Sequence, residues 1–223
     1  MRLPAVIINF KTYKESTGEK AVDLAKKCEN IAKKTGKEIV VAVQAADIYR
    51  VSKAVSIPVF SQHVDAAEQG QNTGAVTTES AKEAGASGTL INHSEKRLRV
   101  DEIETILKKA KKLGMITVVC ANDPATGGAL SKLNPDFIAV EPPELIGGDT
   151  SVSTARPEVI EEAVKNVCGD NKCKRVIVGA GIKTKKDVQK AASLGSIGVL
   201  VASGIVKAKD PEKELKELAE GFD

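Results

Sequence analysis

What most constrains this chain is a rhythm. Short runs rich in Val, Ile and Ala recur eight times, separated by longer charged segments of helical period: AVIIN (5–9), EIVVAV (38–43), PVFSQ (58–62), GTLIN (88–92), ITVVCA (116–121), FIAVE (137–141), RVIVGA (175–180) and GVLVA (198–202). Runs of this length, apolar on both faces, read as buried strands that pair in parallel and need crossover helices between them. The intervening periodicity predicts helices over 17–34, 46–54, 78–84, 101–113, 155–167, 184–193 and 211–220, with a short or irregular connection around 124–133. Eight such units predict an α/β fold, a single-domain (β/α)8 barrel over 1–223, somewhat shorter than the ~250 residues usual for that architecture. An open doubly wound sheet is the alternative, but the first strand is not followed by the GxGxxG turn that a dinucleotide fold carries there.

Local signals agree with the helix boundaries. Thr154 stands three residues before Pro157, Asp101 precedes an acidic turn, and Asp210 precedes a Pro at a first helical position, all expected as amino-terminal caps. Gly36, Gly85, Gly114 and Gly195 are expected to follow helix ends.

Aromatic residues make up 3% of the chain and Trp is absent, so the core must be built from Val, Ile, Leu and Ala. The 33 basic and 30 acidic residues nearly cancel, at a net charge of +3, which argues against nucleic acid or a membrane surface as partner. The pairs Lys108-Lys109 and Lys111-Lys112 read as the solvated face of one helix. The apolar run at the amino terminus is too short for a secretory signal, and nothing approaches the ~18 apolar residues of a membrane span; a soluble, cytoplasmic protein is expected. Cys28, Cys120, Cys168 and Cys173 lack the spacing of a zinc site and are expected to be plain thiols. A local disulfide between Cys168 and Cys173, which bracket GDNK, is the less favoured alternative. His63 and Asp65 are expected to form a loop hydrogen-bond pair.

Barrels place their chemistry at the carboxyl ends of the strands. There the chain carries Asn9-Phe10-Lys11, Asn92-His93-Ser94-Glu95, Glu141, and Gly- or Ser-containing turns after the last two strands. Each has a plain structural explanation alone: a surface lysine, a loop histidine, a turn-capping glutamate. Converging on one rim, a carboxylate, an imidazole and an ammonium form the set that proton abstraction next to a carbonyl requires, namely a base, an electrophile and a charge stabiliser. After Glu141, Pro142 and Pro143 stiffen a hinge and Gly147-Gly148 free the tip of the following loop, which describes a flap. The turns VGAGI (178–182) and VASGIV (201–206) suit an anion held by backbone N–H groups.

Three of these segments together resemble the triosephosphate isomerase family: NFK at 9–11, INHSEKR at 91–97 and VEPPELIGGDTS at 140–151. In order and spacing the resemblance extends from the first strand to GVLVASG at 198–204, and it implies the TIM barrel fold. It further implies interconversion of dihydroxyacetone phosphate and D-glyceraldehyde 3-phosphate through an enediolate, as an isomerase of glycolysis and gluconeogenesis. On that resemblance Glu141 is the base, neutral His93 the electrophile, Lys11 the charge stabiliser and Asn9 a substrate-positioning group, with Glu95 organising Lys11. The phosphate would meet the N–H groups of Gly147, Gly181, Ala202 and Ser203, beside Ile146. No metal or organic cofactor is implied.

The chain departs from the family's longer form, with Val178-Gly179-Ala180-Gly181 for Tyr-Gly-Gly-Ser, Ala202-Ser203 for Gly-Gly, and Glu144 where Trp is common. The hydroxyls that latch the closed flap are therefore missing, and the compact archaeal branch is the better match. GQNTGAVTTES (70–80) falls where the family reaches into a neighbouring subunit, implying a homo-oligomer, with a tetramer favoured over a dimer. Another sugar-phosphate reaction on the same barrel, or a non-catalytic phosphometabolite-binding protein, are the competing readings.

Overall fold

A computed structural model of the chain describes residues 1–142, 145, 151–169, 173 and 175–222. Eight strands form the inner wall: β1 (Ala5–Asn9), β2 (Glu38–Val43), β3 (Val59–Ser61), β4 (Gly88–Ile91), β5 (Ile116–Ala121), β6 (Phe137–Val140), β7 (Val176–Gly179) and β8 (Gly198–Val201). Each pairs in parallel with the next, and β8 pairs back onto β1 from Ala5↔Gly198 to Ile8↔Val201. The sheet therefore closes, which settles the choice between barrel and open sheet. Around it lie α1 (Glu19–Thr35), α2 (Ile48–Ala54), α3 (Thr78–Glu83), α4 (Val100–Lys112), α5 (Pro124–Ser131), α6 (Val152–Ala155), α7 (Pro157–Cys168), α8 (Lys185–Ser193), α9 (Ser203–Val206) and α10 (Pro211–Ala219).

Alternation along the strands produces two cores. Ile7, Val40, Phe60, Leu90, Val118, Cys120, Ala139, Ile177 and Leu200 fill the barrel interior. Their neighbours Val6, Ile8, Ile39, Val41, Val119, Ile138, Val178 and Val199 point outward into the layer beneath the helices. The helices meet that layer with apolar stripes; in α1 the buried set is Ala21, Val22, Leu24, Ala25, Cys28 and Ile31, a spacing of three and four that puts one face inward. The same period of two positions the rim. Two residues beyond Ile7 comes Asn9, beyond Ala139 comes Glu141, beyond Ile177 comes Gly179 and beyond Leu200 comes Ala202. The top layer of the interior is thus continued by polar and small residues.

The seven expected helices form within two residues of their predicted limits. Gly36, Gly85, Gly114 and Gly195 all take positive φ behind them, and Asp210 caps α10 by accepting from the Lys213 N–H at 3.1 Å. Five expectations need correcting. The irregular connection at 124–133 is instead helix α5, capped by Asp123, which accepts from the Thr126 N–H at 2.7 Å, with Pro124 in its first turn. Thr154 does not cap α7; it lies in α6 and its hydroxyl donates to Asp187 Oδ1 at 3.2 Å. Asp101 falls inside α4, whose cap position is Arg99. Lys109 is buried rather than on a solvated face, its ammonium donating to the Ala67 carbonyl at 2.6 Å and pairing with Glu68 at 2.9 Å, because this turn of α4 faces the long loop before α3. Cys168 and Cys173, five residues apart in sequence at the carboxyl end of α7, are joined in a disulfide with Cα atoms 5.2 Å apart, while Cys28 and Cys120 are free and buried.

Among the described residues no helix is long and apolar enough to cross a membrane.

Candidate active site

One cavity opens at the carboxyl end of the barrel, lined by Asn9, Lys11, Tyr13, His93, Glu141, Gly181, Lys183, Ala202, Ser203 and Gly204 among others. The structure thus brings together the expected Asn9, Lys11, His93, Glu141, Gly181, Ala202 and Ser203. Glu95 stands just behind, its Oε1 accepting from Lys11 Nζ at 2.7 Å. Ile146 and Gly147, with most of the flap, lie outside the described residues.

Glu141 leaves the end of β6 with its N–H still donating to the Ala121 carbonyl at 2.9 Å, so the main chain is fixed where the carboxylate begins. Its side chain crosses the barrel toward β7. A Cβ on Gly179 would come within 2.5 Å of Glu141 Cγ and Oε1, so only glycine at that position leaves room for the carboxylate. Glu141 Oε2 is buried and accepts no hydrogen bond. Burial pushes the Glu141 carboxyl up to about 7, and the nearby charges of Lys11 and Arg97 and the thiol of Cys120 only partly oppose this. A carboxylate starved of donors and poised near neutrality is a proton acceptor by construction.

His93 reaches the cavity by a different route. Alternation from Leu90 would aim Asn92 inward, but Asn92 adopts a left-handed backbone at φ 61, an arrangement that Asn tolerates better than most residues. Its side chain anchors the turn, donating to the Cys120 carbonyl at 3.1 Å and accepting from the Leu98 N–H at 3.0 Å. His93 Nδ1 then accepts the Glu95 N–H at 3.2 Å. A ring nitrogen that accepts is unprotonated, so the neutral imidazole carries its proton on Nε2, the nitrogen 3.6 Å from Glu141 Oε2. Burial holds the His93 pKa below its ordinary value, and Lys11 and Arg97 lower it further against the opposing pull of Glu95.

Lys11 also departs from regular backbone, with φ 47. Asn9 Oδ1 accepts its N–H at 3.0 Å and Gln62 donates to its carbonyl at 3.0 Å, so both sides of the strained peptide are tied. The ammonium is largely covered, at 13% side-chain exposure, against 58% for its partner Glu95. It therefore lies within the cavity lining while Glu95 stays toward solvent.

Two lining groups, Tyr13 and Lys183, were not singled out from the sequence, nor was the buried Cys120 thiol that interacts with Glu141. The ring of Tyr13 carries Lys207 Nζ 4.3 Å from its centroid. Position within NFKTY was the only available signal for Tyr13, and nothing in periodicity marks Lys183. His63 and Asp65 form the expected loop pair, Nε2 to Oδ1 at 2.9 Å. Among the described residues no group of three or more His, Cys, Asp or Glu side chains could hold a metal ion.

A closed parallel barrel with a desolvated carboxylate, a neutral imidazole and a covered ammonium around one small cavity belongs to the class of barrel enzymes that move protons on small anionic substrates. Residues 4–220 match the family described as "Triosephosphate isomerase". The chain is 51% identical over 218 residues to the triosephosphate isomerase of Methanothermus fervidus, covering 98% of each chain, and 53% identical over 215 residues to that of Methanobacterium bryantii, covering 96% and 95%. Its fold also matches the crystal structure of triosephosphate isomerase from Bartonella henselae, with a TM-score of 0.74, 20% identity and 98% coverage of both chains. The chain belongs to the triosephosphate isomerase family, and it is an isomerase.

Proposed function

We propose that this chain interconverts dihydroxyacetone phosphate and D-glyceraldehyde 3-phosphate, with Glu141 as the base that carries a proton between adjacent carbons. The observation that carries this reading is the buried, unpartnered Glu141 Oε2, 3.6 Å from a His93 nitrogen whose other ring nitrogen is already an acceptor. A substrate entering between them meets a base on one side and an N–H donor on the other. Glu141 removes the proton from one carbon; His93 Nε2–H stabilises the enediolate oxygens and relays a proton between them; Glu141 returns its proton to the neighbouring carbon. Lys11 offsets the negative charge, Glu95 holds Lys11 in place, and Asn9 fixes both the Lys11 backbone and the substrate.

The phosphate is assigned to backbone N–H groups of Gly181, Ala202 and Ser203, completed by Gly147 and Ile146 when the flap closes and water is expelled. No metal or organic cofactor enters this scheme, because an imidazole and an ammonium already stabilise the enediolate. In this reading the chain is one barrel domain over 1–223, acting in the cytoplasm in glycolysis and gluconeogenesis, of the compact archaeal type. The match to methanogen relatives over nearly the whole chain supports that placement. A homo-oligomer, tetrameric rather than dimeric, is proposed from the loop at 70–80, whose residues 70–74 are all exposed above a stem fixed by Asp65, which accepts the Val76 N–H at 2.7 Å.

Isotope exchange at the triose phosphate carbons by the purified protein tests the assignment. Glu141→Gln is expected to slow exchange by at least about a hundredfold and His93→Ala to reduce it sharply; exchange at the original rate in Glu141→Gln would rule out the proposed base.

A further inference from the structure

The turn after β7, to which the phosphate is assigned, starts on strained backbone. Ala180 takes a left-handed conformation at φ 72 and Gly181 follows at φ 71. Glycine adopts that conformation freely, whereas Ala holds it only where the surroundings impose it. The restraint is visible: the Val152 N–H, in α6, donates to the Ala180 carbonyl at 3.2 Å. That carbonyl and the Gly181 N–H belong to one planar peptide unit. The position of α6 therefore sets the direction of an N–H assigned to the phosphate.

Asp187, outside the cavity lining, joins α6 to this turn. Its Oδ2 accepts the N–H groups of Lys183 at 3.1 Å and Thr184 at 2.9 Å and the Thr184 hydroxyl at 2.8 Å, and its Oδ1 accepts the Thr154 hydroxyl of α6 at 3.2 Å. Capping α8 needs only the exchange with Thr184, so the bonds to Lys183 and Thr154 go beyond a helix cap. Asp187 is buried, which alone would raise its carboxyl; hydrogen bonds from Thr184 and Lys183, joined by the Ser151 side chain at the head of α6, outweigh burial and keep it below the usual carboxylate range. The anchor is therefore charged at neutral pH, the state in which the bonds it accepts are strongest.

We propose that Asp187 is a positioning residue for phosphate recognition, one carboxylate oxygen fixing the turn after β7 and the other fixing α6, so that the Ala180–Gly181 peptide is held with its N–H toward the substrate. This rests on the site reading given above. It assigns part of the substrate affinity to a side chain that does not touch the substrate.

The test compares Asp187→Ala, Asp187→Asn, Thr154→Val and, as a control, Asp123→Ala. Asp123 caps α5 with the same chemistry, accepting the Thr126 N–H at 2.7 Å and the Thr126 hydroxyl at 2.8 Å, and lies outside the cavity lining. KM for the triose phosphate, kcat and the competitive inhibition constant for inorganic phosphate are measured at fixed ionic strength, with melting curves for each variant. Loss of the anchoring bonds predicts a rise of roughly fivefold to tenfold in KM and in the inhibition constant together for Asp187→Ala, larger than the fall in kcat. Asp187→Asn, which keeps an acceptor oxygen, is expected to recover most of that affinity. Thr154→Val, which cuts only the tie to α6 at an exposed residue, should raise both constants by about threefold. Asp123→Ala should lower the melting temperature while moving neither constant by as much as twofold. Unchanged constants in folded Asp187→Ala, or an equal rise in Asp123→Ala, overturns the inference while leaving the site reading intact; should Asp187→Ala fail to fold, unchanged constants in Thr154→Val overturn it. Failure of inorganic phosphate to compete with substrate in the unaltered protein would instead undo the site reading itself.

Discussion

The barrel interior has two layers that obey opposite rules. In the lower layer Ile7, Val40, Phe60, Leu90, Val118 and Ile177 are apolar and fully enclosed, and regular ladders leave no strained backbone. One step toward the carboxyl ends, Asn9, His93 and Glu141 are almost as buried but polar, Lys11 and Asn92 take left-handed backbone, and a carboxylate oxygen is left without a partner. Burial stabilises the fold in the first layer and opposes it in the second, where the same exclusion of water raises Glu141 and lowers His93 toward their working protonation states. A shared cylinder of strands thus supplies rigidity below and reactive, desolvated groups above.

Substitutions on either side of that boundary should have opposite signatures. Glu141→Gln is expected to lower kcat by roughly 10²- to 10⁴-fold, the usual contribution of a general base. Steady-state kinetics alongside thermal melts would show lost rate without lost stability. Phe60→Ala, one layer down, should remove about 3–5 kcal/mol of stability through the cavity it leaves, with turnover of the folded fraction within severalfold of the original; denaturant titration measures it. A rate collapse in Phe60→Ala at full stability would erase the distinction between the layers.

Linkage sharpens the contrast. The Glu141 carboxyl releases its proton near pH 4.5 when unfolded and at about 7 when folded, so the native state holds the extra proton within that window. Stability contributed by this group is therefore lost as pH rises from about 4.5 to 7, by on the order of 3 kcal/mol in full. Denaturation at several pH values should show this slope in the parent protein and its disappearance in Glu141→Gln. For His93 the sign is reversed: its lowered pKa means stability is lost as pH falls below about 6.5. The smallest effect lies farthest from the rim. Reducing the Cys168–Cys173 disulfide, or replacing either cysteine by Ser, opens a short loop outside the barrel and should cost about 2 kcal/mol with kcat unchanged.

The lower layer was the more legible of the two, because it follows from repetition. Eight apolar runs, strand parity and helical stripes specify where Ile7 or Leu90 must point. That parity also carries Asn9 and Glu141 into the cavity, so these two could be read almost as directly. His93 could not: only the left-handed turn at Asn92 aims it inward, and its identification depended on the HSEKR motif. Helix α5 was missed because Gly127-Gly128 weakens both propensity and pattern. Those glycines serve packing instead, since a Cβ on Gly127 would press on Ile138 at 3.3 Å and one on Gly128 on Asn166 at 2.9 Å. Lys109 and the disulfide depend on which distant segment lies opposite, and spacing along the chain does not encode that.

The most direct test of the central claim is to titrate the Glu141 carboxyl by carbon NMR, assigned by its loss in Glu141→Gln, beside the pH dependence of kcat/KM. Coincidence of the carboxyl titration and the acid limb of kcat/KM at about pH 7 is the predicted result. A Glu141 that titrates in the ordinary carboxylate range, with the limb of activity lying elsewhere, would contradict it.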